Sequence, residues 1–296
     1  MVSPAVKSVE SVLHPATHLG AVQLTVSNLA HSLAFYQQVL GFQVQQQSSG
    51  CANLGAGKAA FLELVELPGA RRVTHHSGLY HFAVLTPSRL ALAQVLRNLV
   101  EYGIQIGGSD HLVSEAIYFS DPDGNGIEVY RDRPRSEWKY ENGRPVMGSL
   151  PLDYQGILRE LVNEATPWQG LDPATILGHI HLHVAHLQPT RHFYQDIIGF
   201  DLIADWHNAL FFSAGGYHHH LGTNTWAGVG APPQPADAVG LRHFVVRLPD
   251  QAERIRLMER LDQGGVTFEE RTDGLFVRDP AQNGLLFAVD QQITEN

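Results

Sequence analysis

Apolar and polar positions alternate over "VQLTV" (22–26), as a half-buried strand requires. "LAHSLAFYQQVLGF" (29–42) then switches to helical spacing, with Gly41 placed to stop the helix. The same change of period occurs from "HFAVLT" (81–86) to "LALAQVLRNLVEYGI" (90–104). "EAIYFSDPDGNGIEVY" (115–130) reads as a hairpin whose "DPDGNG" supplies the residues tight turns need. The unit is a strand, a helix and three more strands.

The unit repeats. Residues 20–44 match residues 178–202 without a gap, at an offset of 158. Gly20 falls on Gly178, Val26 on Val184, Phe35-Tyr36 on Phe193-Tyr194, and Gly41-Phe42 on Gly199-Phe200. "GLYHFAVLTPS" (78–88) resembles "GLRHFVVRLPD" (240–250), and "DPDGNGIEVY" (121–130) resembles "DPAQNGLLFAV" (279–289). Four βαβββ modules follow, at about 18–68, 78–131, 176–227 and 240–290, so the expected fold class is α+β. They group into a first domain at 15–132, a linker at 133–174 and a second domain at 175–292; "YQGILRELVNEA" (154–165) predicts a helix in the linker.

Composition narrows the function classes. A chain of 296 residues with 44% apolar content can bury a core of domain size. The formal net charge of −10, with no compensating basic stretch, argues against nucleic acid and anionic membranes as partners. Cys51 is the single cysteine, which precludes a disulfide framework and suits a reducing compartment. No apolar signal core opens the chain and no apolar run reaches membrane-spanning length, so a soluble, cytoplasmic protein is expected. The 17 histidines call for a chemical explanation, above all "GGYHHHLGTN" (215–224) with His218, His219 and His220 in succession.

Paired βαβββ modules carrying "SLAFYQQVLGF" and "DPDGNGIEVY" resemble the vicinal oxygen chelate superfamily, which includes glyoxalase I, extradiol dioxygenases, and fosfomycin and bleomycin resistance proteins. Through "SEAIYFSDPDGNGIEVYRDRPRSEW" (114–138) and "SAGGYHHHLGTNTWAG" (213–228) the likeness is strongest to bacterial two-domain catechol 2,3-dioxygenases. The resemblance implies curved mixed sheets cupping a divalent metal. It also implies a first-strand His from one module, a first-strand His and a last-strand Glu from its partner, a Tyr ten residues before that Glu, and one further His for acid–base work.

Carried over residue by residue, the second module offers His81, Tyr118 and Glu128, and the third offers His179 and His219. The first has Ala21 where the third has His179. The fourth has His243, but Leu286 and Phe276 stand where Glu and Tyr would be. Neighbouring modules thus give two broken sites. Pairing the second with the third gives one complete set, and leaves the first and fourth as a degenerate pair. Neighbour pairing completed across a dimer is the alternative, and a homo-oligomer stays open.

Each residue also has a plainer reading. A lone strand histidine is commonly a hydrogen-bonded core residue; Glu128 could face outward, and Tyr118 could be a structural aromatic. An inward, unpaired carboxylate among apolar neighbours would be costly, and a metal supplies the compensation. The resemblance makes His81, Glu128 and His179 the metal ligands, with His243 a weaker ligand candidate, and His219 and Tyr118 the catalytic pair. Strand alternation would turn His218 and His220 away from His219, leaving one member of the triplet in the cup. His179, His181 and His183 alternate with apolar residues, which makes His181 a pocket or supporting residue.

Two imidazoles and one carboxylate on one face of a metal is the arrangement of non-haem Fe(II) oxygenases. The implied function is extradiol cleavage of catechol or a substituted catechol with O2, using Fe(II), or Mn(II) in its place. A glyoxalase-like isomerase or transferase, or a non-enzymatic binding protein, would use the same scaffold, and fold alone does not separate them.

Overall fold

The computed structural model describes residues 13–57, 59–162, 164 and 168–290. Among them no helix is long and apolar enough to cross a membrane. In the first module β1 (His18–Val26) leads into α1 (Leu29–Ala34), then β2 (Gln43–Ser48), β3 (Cys51–Gly55) and β4 (Ala60–Glu66). In the second, β5 (Gly78–Leu85) and α2 (Arg89–Glu101) precede β6 (Gly107–Asp110), β7 (Ser114–Ser120) and β8 (Gly126–Asp132). A small ribbon of β9 (Tyr140–Glu141) and β10 (Arg144–Pro145) and the short α3 (Tyr154–Arg159) lie between the halves. The helix expected over 154–165 is therefore shorter, with residues 163 and 165 outside the described residues. So are 1–12 and 291–292, where the expected chain start and the last residues of the second domain fall.

The third module is β11 (Ile176–His183), α4 (Leu187–Arg191), β12 (Asp201–Trp206), β13 (Ala209–Ser213) and β14 (Leu221–Asn224). The fourth is β15 (Gly240–Leu248), α5 (Gln251–Gln263), β16 (Phe268–Arg271), β17 (Gly274–Arg278) and β18 (Gly284–Val289). Local chemistry explains the helix starts: Asn28, Ser88 and Asp250 each accept from the backbone N–H three residues on. Helices α1 and α4 widen into π-helical turns over Phe35–Val39 and His192–Ile198. They stop at Gly41 and Gly199, whose φ angles of 74° and 99° favour glycine.

The modules pair as second with third and first with fourth. One eight-stranded mixed sheet runs β12-β13-β14-β11-β5-β8-β7-β6, the other β16-β17-β18-β15-β1-β4-β3-β2. Each is sewn at its centre by two first strands, β5 with β11 and β15 with β1, both antiparallel. Each sheet therefore takes one module from either side of the linker. On the inner faces of these seams Leu24, Phe82, Ile180 and Phe244 are buried in one apolar cluster that joins the sheets. The alternate residues, His81, His179 and His181 among them, point to the outer, concave face.

A second kind of contact ties sequence neighbours across the two sheets. Tyr36 Oη donates to Asp121 Oδ2 at 2.9 Å, and Tyr194 Oη donates to Asp279 Oδ2 at 3.0 Å. Asn125 and Asn283 donate to the same two carboxylates from within their turns. This explains why both "FY" and "DP..NG" recur in the repeat.

Glu115 holds the linker against the second module. It is buried, and receives Arg89 Nε at 2.9 Å and Arg131 Nη2 at 2.6 Å. Arg89 also donates to the Gly156 carbonyl in α3 at 2.9 Å. Burial raises the Glu115 carboxyl, but the Arg89 and Arg131 guanidiniums outweigh it and leave it below its ordinary value. Its stabilisation is complete above the unfolded value of about 4.3 and fades as pH falls through the lower folded value. Glu115→Gln should therefore lower the urea midpoint at pH 7, with the gap to wild type narrowing below about pH 4.

Candidate functional site

Four strands contribute one row of side chains to the concave face. His179 on β11 lies opposite Ala83 on β5, Ala83 opposite Glu128 on β8, and Glu128 opposite Tyr118 on β7. His81 pairs with His181 in the neighbouring row. The small side chain of Ala83 leaves room between its larger neighbours.

His81 Nε2 and His179 Nε2 each lie 3.1 Å from Glu128 Oε2, and the three candidate ligand atoms lie within 4.8 Å of one another. All three residues are buried. Burial raises the Glu128 carboxyl, yet the His179 and His81 imidazoles prevail and hold it well below the usual carboxylate range. His179 Nε2 is hydrogen-bonded to Glu128 Oε2, whereas His81 Nε2, equally close, is not, and His179 Nδ1 has no partner. A buried imidazole nitrogen aimed at a carboxylate without bonding to it is what a shared divalent cation would explain. The donor set, two imidazoles and a carboxylate, fits such an ion.

A cavity of about 240 Å³ opens over these atoms. Tyr118 and His219 reach it, with Val113, Met147, Trp206 and Phe211 forming apolar walls. His111, which the sequence did not single out, also lines it. Its Nδ1 is 2.7 Å from the Gly148 carbonyl, which can only accept, so Nδ1 carries the proton and, in the neutral ring, Nε2 is bare. Tyr118 Oη then donates to His111 Nε2 at 2.6 Å. The available signal was position: His111 stands at the turn of the β6–β7 hairpin, seven residues before Tyr118.

The histidine triplet departs from the expected alternation. Gly215 and Gly216, with φ of 62° and 68°, turn the chain after β13, and β14 begins only at Leu221. His218 to His220 therefore lie in a connection rather than a strand. His218 is fully buried and lines the cavity beside His219, while His220 Nδ1 accepts from the Ala214 amide at 3.2 Å. Burial and the neighbouring imidazoles push His219 well below the ordinary imidazole value. His181 is also buried and faces the cavity, where Asn224 Nδ2 donates to its Nε2 at 3.0 Å. Asn224 Oδ1 in turn accepts from His183 Nδ1 at 2.7 Å.

The other sheet carries the corresponding row without its chemistry. Val245 lies opposite Leu286, and Leu286 opposite Phe276. With Ala21 and Ala288 they form a small apolar cluster. His243 lies in this sheet, opposite Gln23 and apart from His81, Glu128 and His179.

The model of the Glyoxalase/Bleomycin resistance protein/Dioxygenase superfamily matches residues 18–129 and 176–287, and the chain belongs to that superfamily. It is 45% identical over 280 residues to the Catechol-2,3-dioxygenase of Bacillus subtilis (strain 168), covering 93% of this chain and 98% of that protein. The crystal structure of glyoxalase I from Zea mays shares the fold at a TM-score of 0.56 and 12% identity, covering 93% of this chain and 92% of that one.

Gly178, next to His179, is required by packing. A Cβ there would overlap the Tyr130 hydroxyl, which is buried and bonded to Tyr217 Oη at 2.8 Å. Gly178→Ala should cost about 1–3 kcal/mol in urea unfolding, the usual range for an overpacked core.

Proposed function

We propose that this chain is an extradiol ring-cleaving dioxygenase, acting on catechol or a substituted catechol with O2. The observation that carries the reading is the buried convergence of His81, Glu128 and His179 beneath a closed set of polar groups, His219, Tyr118 and His111. The identity to a protein named Catechol-2,3-dioxygenase over nearly the whole chain supports it.

His81, Glu128 and His179 would hold the ion on one face. Fe(II), or Mn(II) in its place, when bound brings diol and dioxygen together and carries electron density from ring to dioxygen. The remaining work falls to the chain. His219 accepts a catechol hydroxyl proton and later returns it, a task for which imidazole is the usual side chain near neutral pH. Tyr118 lies beside Glu128 in the row and orients oxygen atoms above it, its own proton directed to His111. The apolar walls exclude water while the ring opens beside the diol, giving a semialdehyde acid. A glyoxalase-type isomerase would want a fourth protein ligand, often a carboxylate; this corner holds His219 in place of a carboxylate.

The protein purified anaerobically, loaded with Fe(II) and given catechol and air should form the yellow ring-fission product. No product, with isomerase activity on a thiol adduct after Zn(II) or Ni(II) loading, would reverse the assignment. Glu128→Ala should weaken metal binding by at least about 100-fold, beyond the range seen for outer partners of ligands. His219→Ala should retain the metal and lose about 10²–10⁴ in kcat.

The cavity walls also bear on the substrate. No Lys or Arg lines the cavity among the described residues. A ring carboxylate would enter without a partner for its charge. The ratio kcat/KM should therefore be at least about 100-fold higher for 4-methylcatechol than for 3,4-dihydroxybenzoate, the order expected for an unpaired charge. Equal values would show that the anion is accommodated elsewhere.

A further inference from the structure

We infer that Asp132 and His218 are positioning residues that fix the tautomer of His219, so that its cavity-facing nitrogen is a bare base. The inference rests on the role given to His219 under the proposed function, but its geometry is independent of that role.

With Asp132 ionised and His218 singly protonated, which is the premise of the inference, the chain of bonds has one sense. His218 Nε2 lies 2.8 Å from Asp132 Oδ1. A carboxylate only accepts, so His218 Nε2 carries the proton. A neutral His218 then has a lone pair on Nδ1. That lone pair lies 2.9 Å from His219 Nδ1, so His219 must donate from Nδ1. His219 Nε2 is left without a proton. When a catechol hydroxyl reaches it, the O–H bond breaks, an N–H bond forms at Nε2, and the positive charge stays on the His219 ring. Asp132 thus acts two imidazoles away from the reacting atom, as carboxylates that orient catalytic histidines do.

The groups are held to this purpose. His218 is fully buried, its ring 5.5 Å from that of Trp138 and 4.1 Å from that of Tyr217. His219 is packed against His179 at 4.1 Å and Phe211 at 5.1 Å between ring centroids. Asp132 ends β8, four residues after Glu128, so the strand that presents the carboxylate to the imidazole pair also presents the one at the far end of the chain of bonds.

Two measurements test this. In metal-free protein labelled with ¹⁵N on histidine, two-bond ¹H–¹⁵N correlations should show His219 protonated on Nδ1, with Asp132→Ala and His218→Phe populating the other tautomer. His219 found protonated on Nε2 in the wild type overturns the inference, whatever reaction the enzyme performs. In the Fe(II)-loaded enzyme, Asp132→Ala should lower kcat on catechol by about 10–100-fold with little change in KM, as expected for an outer partner. The same substitution in a His219→Ala background should then leave the residual rate within about twofold, because the two residues act as one unit. An equal fall in both backgrounds would show a structural effect and sink the proposal. Because Asp132 is only partly buried, its variant remains informative if His218→Phe does not fold. A wild type that cleaves no catechol would defeat the proposed function while leaving the tautomer result standing.

Discussion

A βαβββ module ends in an open edge: its first strand has one neighbour within the module and a bare row of N–H and C=O groups on the other side. Such an edge must be paired or covered. Here the first strands satisfy each other, β5 against β11 and β1 against β15. Everything at the candidate site follows from that choice. The β5–β11 seam sets His81 beside His181 and His179 one step along, opposite Ala83. The parallel pairing of β5 with β8 then brings Glu128 into the same row. The edge requirement thus builds a polar cluster that no single module contains.

The seams lie within each sheet, and the sheets are joined to each other by the shared apolar cluster and by two buried bonds. The Tyr36–Asp121 and Tyr194–Asp279 bonds run the other way, joining first to second module and third to fourth. Each Asp is buried, and each is surrounded by donors from its own turn as well as by the tyrosine hydroxyl. Seams and latches together give every module two partners, one by strand pairing and one by a buried hydroxyl–carboxylate bond. Tyr36 and Tyr194, Asp121 and Asp279, and Asn125 and Asn283 recur in the sequence because they serve the latches, which both halves need although one row is His179, Glu128 and Tyr118 and the other Val245, Leu286 and Phe276.

Much of this was legible in the chain because it depends on period and turn chemistry. The ten-residue step from Tyr118 to Glu128 was implied by the family resemblance; a hairpin register centred on "DPDGNG" accounts for it, and the two do face each other. The offset of 158 placed Ala21 in line with His179 because both modules keep one strand geometry. What was not legible depends on partners distant in sequence or on a broken period. Two left-handed glycines stop the strand before His218, so alternation gives the wrong facing for the triplet. His111, Asn224 and Asp132 sit at strand ends or turns, where no period marks them; their roles appear only once Tyr118, His181 and His218 are in place. The helix expected over 154–165 ends at Arg159; Arg89 donates to the Gly156 carbonyl and to the Glu160 carboxylate at its two ends, contacts that local propensity does not register.

The nesting of the seams has a consequence for assembly on the ribosome. The strands of the β5–β11 sheet end at Asn224, so its last strand can join before the fourth module has been made. β1, by contrast, must wait for β15, with register partners such as Val22 and Phe244 far apart in the chain. Loops of that length close slowly, and an unpaired first strand is exposed in the meantime. The half that carries the polar row can therefore form early, and the half whose row is apolar closes last.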